Sequence, residues 1–265
     1  VQLFKYLKAE HALSMLGSGQ ILLRSPRYFR ELEGRDPSRG DKEEGIRRVR
    51  LQVPNSSRLE EQTLAERKMF EQFVRPPPGM TMQEFLTQAA FLNCDWEQKV
   101  VSRGSMLYCM TTDASGRLHE KFETDTIIRI CDVVKFARLV RDAAQRACGA
   151  RVFPGVVGCE YVTQPVHPAS RAASLPAFAL KDRRFAEQAE VRLVLESDAK
   201  SFETADELRL TVPELSSVCR IHSPRSGSND LTALGALLRG RVGPNDQCPC
   251  LRGRKFKRCC GANAA

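Results

Sequence analysis

Near the end of the chain, four cysteines have types and spacing that could do chemistry: Cys248-Pro249-Cys250, eight residues, then Cys259-Cys260. Four thiolates complete a tetrahedral shell around a zinc ion and leave no open position, which makes such a site structural rather than catalytic. The segment that carries them is short, polar and interrupted by Gly and Pro, so it cannot bury enough apolar surface to fold by itself. Metal binding supplies on the order of 10 kcal/mol, enough to order it. Cys248, Cys250, Cys259 and Cys260 are therefore the expected zinc ligands.

The flanking residues agree. Pro244-Asn245-Asp246, Cys248-Pro249-Cys250, Gly253, Lys255-Phe256-Lys257 and Cys259-Cys260-Gly261 together make the tail similar to the SEC-C zinc motif. That motif ends the SecA translocase and occurs on many unrelated bacterial proteins. Leu251 and Arg252 stand where it carries Gly-Ser, so the turn after the second ligand is expected to differ in shape. The resemblance implies a zinc module and names no reaction.

Charge sets the tail apart as well. The chain holds 41 Lys and Arg against 32 Asp and Glu, a formal +9. From Arg239 onward there are seven basic residues (Arg239, Arg241, Arg252, Arg254, Lys255, Lys257, Arg258) and one acid, Asp246. Four thiolates and their zinc take two units back, and the body is close to balanced. A basic patch of this kind attracts phosphate backbones or acidic protein surfaces, so the partners read from it are a nucleic acid or a protein. A solvated face on a zinc knuckle accounts for the same residues.

The elements that must position any site come next. Residues 2–7 read as a strand, Ala9 to Leu16 as a helix stopped by Gly17, and Ile21-Leu22-Leu23 as a strand closed by Ser25-Pro26. Tyr28 to Gly45 reads as a loop, Ser57 to Phe73 as a helix ended by Pro76 to Pro78, and Thr81-Met82-Gln83-Glu84 as a capping box opening a helix through Leu92. Met106 to Thr111 and Thr126 to Cys131 read as strands, and Asp132 caps a helix to Cys148 with Gly149 past its end. Val156 to Val162, Glu190 to Leu195, Leu208 to Val212 and Val218 to Ile221 are further strands, and Asn229 or Asp230 opens a last helix through Leu238. Segregated short strands and helices predict an α+β fold, with mixed or antiparallel sheets and packed helices in a body of residues 1–238, and a zinc knuckle over 239–265.

No apolar run is long enough to span a bilayer, and the first residues lack the apolar core of a signal peptide. Cys94, Cys109, Cys131, Cys148, Cys159 and Cys219 are scattered, mostly in apolar runs, and read as buried free thiols. A cytoplasmic protein without a membrane span is expected.

The body offers no Gly-rich phosphate loop, no Gly-x-Ser-x-Gly, and no metal spacing among His11, His119, His167 and His222. Two segments are more informative. The first comprises Leu3-Phe4-Lys5-Tyr6, Leu13 to Leu16, Ile21-Leu22-Leu23, Ser25-Pro26 and Asp41 to Gly45. The second is Phe178-Ala179-Leu180-Lys181, Phe185 and Gln188-Ala189-Glu190-Val191-Arg192, with Tyr108-Cys109-Met110-Thr111 between the two. In this order they resemble the bacterial domain-of-unknown-function 2971 family.

The element order of that family is similar, more distantly, to ADP-ribosyltransferases. That likeness would place Lys5, Thr111, Gln188 and Glu190 at a catalytic site, with Lys5, Tyr6, Thr111 and Thr112 against NAD. Such a site has a physical logic. Nicotinamide leaves through an oxocarbenium-like transition state, which one carboxylate, here Glu190, can stabilise. Gln188, two positions earlier on the same strand face, would orient the acceptor. An NAD-using toxin or defence effector is one reading. A non-enzymatic adaptor, recruited by its basic zinc tail to a ribosome, nucleic acid or partner protein, is the other. A nuclease built on Asp41, Glu43 and Glu44 is a third, although a solvated loop explains those acids equally.

Overall fold

The computed structural model describes residues 2–53, 57–58, 63–73, 75–88, 90–91, 94–222, 234, 238 and 241–262. The expected last helix, from Asn229 or Asp230 to Leu238, lies almost wholly outside the described residues.

Along the chain the elements begin with β1 (Leu3–Leu7), α1 (Ala9–Ser18), β2 (Gln20–Arg24) and α2 (Pro26–Leu32). Next come β3 (Ile46–Val53), β4 (Ser57–Arg58), α3 (Leu64–Phe73), α4 (Met82–Gln88), β5 (Ala90–Phe91) and β6 (Cys94–Val101). The middle of the chain supplies β7 (Ser105–Thr111), α5 (Leu118–Phe122), β8 (Thr126–Ile130), α6 (Val133–Cys148), β9 (Phe153–Gly158) and β10 (Glu160–Val162). The remainder is β11 (Leu180–Asp182), β12 (Glu190–Glu196), α7 (Lys200–Thr204), β13 (Glu207–Thr211), α8 (Leu215–Val218) and β14 (Cys219–Ile221). The architecture is α+β, as expected, with antiparallel sheets apart from the parallel pair β10 and β11.

The contacts divide the chain into two compact units. Unit 1 is 1–42, 103–159 and 185–265, so the cysteine tail belongs to it; unit 2 is 43–102 and 160–184.

Unit 1 is built on an eight-stranded sheet ordered β13-β2-β7-β1-β8-β14, with β12 joined to β7 and β9 to β12. Strand β12 follows β7 from Ser105 to Thr111 along one edge. The opposite edge is shared, with β2 meeting it at Leu107 and β1 at Thr111. One face carries the main core: Leu3, Tyr108, Met110, Ile128, Ile130, Leu193 and Leu195, under α1, α6 and α8. On the other face a smaller cluster forms from Phe4, Tyr6, Leu118 and Ile127.

Local chemistry explains most of the helices. The Asp132 side chain accepts from Lys135 N at 2.9 Å and Gly149 closes α6 at φ 65°, which leaves Phe136, Ala137, Val140, Ala143 and Ala144 buried on one stripe. Helix α1 runs past Gly17 and stops at Gly19, whose φ of 76° is left-handed and whose N–H bonds Met15 O. Gly17 itself stays helical. The stretch read as a loop from Tyr28 also opens differently: Ser25 Oγ accepts from Tyr28 N and Pro26 sits at the first helical position, so Ser-Pro both ends β2 and starts α2.

Unit 2 is held by the β3–β6 ladder, from Ile46 opposite Val101 to Val53 opposite Cys94, and by parallel β10 and β11. Its core is Val49, Leu51, Val166, Ala172 and Leu180, with Trp96 packed against it. The helix expected from Ser57 begins only at Leu64, because Thr63 and Glu66 form a capping box there, while Ser57–Arg58 pairs with β5. The Thr81–Glu84 box forms as predicted, and its helix ends at Gln88. The strand read over Val156 to Val162 breaks at Cys159, where the chain passes from one unit to the other.

Candidate metal centre and the polar residues of the sheet

The sulfur atoms of Cys248, Cys250, Cys259 and Cys260 all lie within 4.8 Å of one another. Cys250 Sγ is 3.4 Å from Cys259 Sγ, and Cys259 Sγ is 3.9 Å from Cys260 Sγ. Sulfurs tetrahedrally bound at about 2.3 Å from one zinc are about 3.8 Å apart, so the spread brackets that geometry. Backbone bonds shape the knuckle: Cys248 N donates to Arg254 O, Leu251 N to Cys248 O and Phe256 N to Asp246 O.

Electrostatics also favours a cation. Burial pushes the Cys250 thiol up to about 11 and Cys260 higher still. At Cys248 burial also raises the thiol, but the Cys250 and Cys260 backbone N–H groups and neighbouring thiols outweigh it and the net direction is down. Four thiolates this close repel one another; a divalent ion at their centre reverses that and deprotonates them outright. The four cysteines can hold a metal ion.

This centre is packed into unit 1. Cys248, Cys250, Phe256 and Cys260 are buried in the same cluster as Leu13, Phe136 and Leu215. Arg252 Nε donates to Gly17 O at 3.1 Å. Arg241 reaches one Asp125 oxygen while the other accepts from Ala9 N at 2.7 Å, tying the tail to the start of α1. Arg254, Lys255, Lys257 and Arg258 are exposed, and none makes an ion pair among the described residues.

The body candidates are distributed differently. Thr111 and Glu190 are direct partners in the β7–β12 ladder. Thr111 Oγ1 donates to Gln188 O at 2.7 Å and accepts from Asp113 N at 2.9 Å. Phe4 pairs with Thr111, so Lys5, one residue on, points to the opposite face. There its Nζ donates to Cys109 O at 2.7 Å and sits 4.8 Å from the centre of the Tyr108 ring, a core residue. Lys5 is thus separated by the sheet from Thr111 and Glu190.

Gln188 is not on the strand with Glu190. It ends a 3-10 segment (Arg183–Gln188), and Ala189 between them is left-handed at φ 42°, so period-2 geometry does not apply. Its side chain is buried and donates to Ser38 O at 3.1 Å. Glu190 is 6% exposed and accepts from Arg192 Nε at 2.7 Å, with Arg192 fully buried. These two therefore form a buried pair within one strand. Tyr6 lies on the Thr111 face, with its hydroxyl accepting from Gly116 N at 3.0 Å; burial raises its pKa. Thr112 is exposed, and its N–H donates to Ala189 O.

The remaining expectations are corrected in places. Asp41 and Glu44 are each 1% exposed, so they do not belong to a solvated loop, while Glu43 pairs with Arg48. Of the scattered cysteines Cys219 is buried, its thiol pushed up to about 12 by burial, but Cys131 is exposed and Cys109, Cys148 and Cys159 are half-buried. No described cysteine is in a disulfide. A cavity of about 490 Å³ lined by Lys8, Glu10, Glu123, Asp125 and Arg241 contains none of the predicted site residues. Among the described residues no helix is long and apolar enough to cross a membrane.

Sequence reasoning missed Asp125 as the anchor of the tail. Its contact with Arg241 joins positions over a hundred residues apart and leaves no local trace.

Comparison with known proteins locates one family feature. Residues 245–262 match the family model described as the SEC-C motif. No curated protein and no solved structure matches the chain.

Proposed function

We propose that the protein is a zinc-bearing, non-enzymatic binding protein that docks on nucleic acid through its C-terminal knuckle. The observation that carries this reading is the row Arg254, Lys255, Lys257 and Arg258, exposed and without acid partners among the described residues, on a turn whose four cysteines can hold a metal and which is anchored in unit 1. A fixed cationic surface meets a phosphate backbone without first ordering a flexible tail, so less entropy opposes binding. The motif match supports zinc as the metal, and an all-thiolate donor set is one zinc accepts. Among the described residues the cysteines outside the knuckle (Cys109, Cys131, Cys148, Cys159 and Cys219) form no disulfide, which suits a reducing compartment such as the cytoplasm.

Labelled single-stranded RNA and duplex DNA, titrated by fluorescence anisotropy over a range of salt, test it. Four phosphate contacts predict a log–log salt slope of about −3.6 on duplex. Changing Arg254, Lys255, Lys257 and Arg258 together to Gln should abolish binding while one zinc per chain is retained. Unchanged binding by that variant, or no binding by wild type at low salt, defeats the proposal.

ADP-ribosyl transfer from NAD is the second reading, in keeping with the family 2971 and transferase resemblances. Thr111 directly across from Glu190 favours it. The Arg192 contact to the Glu190 carboxylate and the opposite orientation of Lys5 weigh against it. Labelled NAD with a cell lysate decides: transfer by wild type, or a rise in its unfolding midpoint with NAD, would support the enzyme, and the absence of both would remove it.

A further inference from the structure

One line of in-register partners crosses the sheet of unit 1: Arg220, Arg129, Phe4, Thr111, Glu190. Partners in register share a face. Phe4 belongs to the smaller cluster, so Arg129 and Arg220 stand side by side on the face away from the main core. Adjacent strands are about 4.8 Å apart. Like charges directly opposite one another on a sheet are destabilising, and both arginines are half-buried, where screening by salt is weaker.

The two are not equivalent. Arg220 Nη1 is committed to backbone carbonyls, Ser216 O and Cys219 O. Among the described residues Arg129 makes no ion pair and no side-chain hydrogen bond, although it lies between Phe4 and Arg220 on the sheet. His222 follows on the same face, its ring 5.0 Å from that of Phe4 at 64°. Three basic side chains therefore share one face of the sheet, and among the described residues Arg129 has no counter-charge.

We infer that Arg129, Arg220 and His222 form a binding site for a phosphate-type oxyanion, separate from the cations of the tail. The physical case is that an anion between the two guanidiniums turns a repulsive pair into two charge-assisted contacts. Guanidinium forks match the oxygens of a tetrahedral anion. The anion could arrive as free phosphate or as the phosphate of a nucleotide, and the two sources differ in the concentration they require.

Thermal unfolding of the zinc-loaded full chain tests this, with inorganic phosphate or a nucleoside monophosphate replacing chloride at constant ionic strength. Wild type should show a midpoint that rises and saturates with at least one of them, the lower half-saturating concentration marking the source. Arg129→Gln, without the like charge beside Arg220 in the sheet, should melt no lower than wild type in chloride and lose the saturable rise. Arg129→Lys keeps the charge without the fork and should need several-fold more anion. Lys135→Gln, an exposed charge on α6, and the tail variant above should respond as wild type. No response in wild type, or a response undiminished in Arg129→Gln, overturns the inference. Loss of the response in the tail variant alone overturns it too, by assigning the anion to the knuckle.

Discussion

Gly17 of α1 lies against Cys250: a Cβ placed on Gly17 would come within 2.7 Å of Cys250 Cβ and 3.3 Å of its carbonyl oxygen. A glycine inside a helix costs about 1 kcal/mol relative to alanine. Here the missing side chain is what lets Cys250, one of the four cysteines that can hold a metal, sit on the helix. Gly17→Val should lose about 1–3 kcal/mol, as overpacked sites do. The same variant should give up zinc more readily to a chromophoric chelator. Equal zinc affinity in wild type and variant would show that the helix does not hold the knuckle.

Because Cys248, Cys250 and Cys260 are buried with residues of α1, α6 and α8, metal removal should act beyond the tail. Structural zinc contributes on the order of 10 kcal/mol where it orders a segment. Chelation should lower the unfolding midpoint of unit 1 and speed hydrogen exchange in α1, and Cys248→Ser should do the same without chelator. Exchange that changes only after residue 241 would mean an independent appendage.

Asp125 links the tail to α1 from far along the chain. Lys8, at the N-cap, makes no side-chain cap, and the Asp125 carboxylate takes the Ala9 N–H instead. Burial tends to raise this carboxyl, but hydrogen bonds from Arg241, Thr126 and Ala9 outweigh it and hold it below the usual range. A depressed carboxyl stabilises above the ordinary value near 4 and loses that contribution as pH falls through the lower folded-state value. Asp125→Ala should cost about 1–2 kcal/mol at pH 7, most of it the lost helix cap. Arg241→Ala, exposed and screened, should cost under about 1 kcal/mol. The gap between wild type and Asp125→Ala, measured by denaturant unfolding, should narrow below about pH 4.

What the sequence revealed follows from the range of the interactions. The clustering of the four tail cysteines was legible because metal geometry constrains spacing locally. So were the Asp132 cap and the Thr81–Glu84 box, each satisfied within one helical turn. Ser25 was half-read, since one residue both ends β2 and caps α2. Gly17 was misread: composition marks it as a stop, and the residue that requires it lies over two hundred positions away. Gln188-x-Glu190 was visible as a pattern, but the left-handed Ala189 that breaks its period is not encoded by an obvious Gly or Asn. The side of the sheet on which Lys5 falls depends on register with β7, which no local rule supplies.

Glu190 tests the buried polar pair directly. Its carboxylate receives Arg192 Nε at 2.7 Å with both side chains out of solvent. Glu190→Gln removes the charge and keeps one acceptor, so the loss should be about 1.5–3 kcal/mol. Glu190→Asp, which retracts the charge by one methylene, should recover part of it. An unchanged denaturation midpoint in Glu190→Gln would mean that the pair does not stabilise the fold, and would strengthen the case for a site held ready for chemistry.

Leu251 is the residue at which the tail departs from the motif's glycine, and its φ is 58°. The left-handed region costs an L-residue roughly 1–2 kcal/mol, while glycine gives back about 0.5–1 kcal/mol through its greater freedom in the unfolded chain. The side chain is 54% exposed, so little apolar burial is lost on removing it. Leu251→Gly should therefore stabilise the knuckle by up to about 1 kcal/mol, read as a rise in zinc affinity of no more than roughly fivefold. Leu251→Val, branched at Cβ and harder to hold at positive φ, should lower affinity. If competition with a chelator ranks Val above Gly, the turn does not limit metal binding, and the strain at this position is relieved by some other adjustment of the backbone.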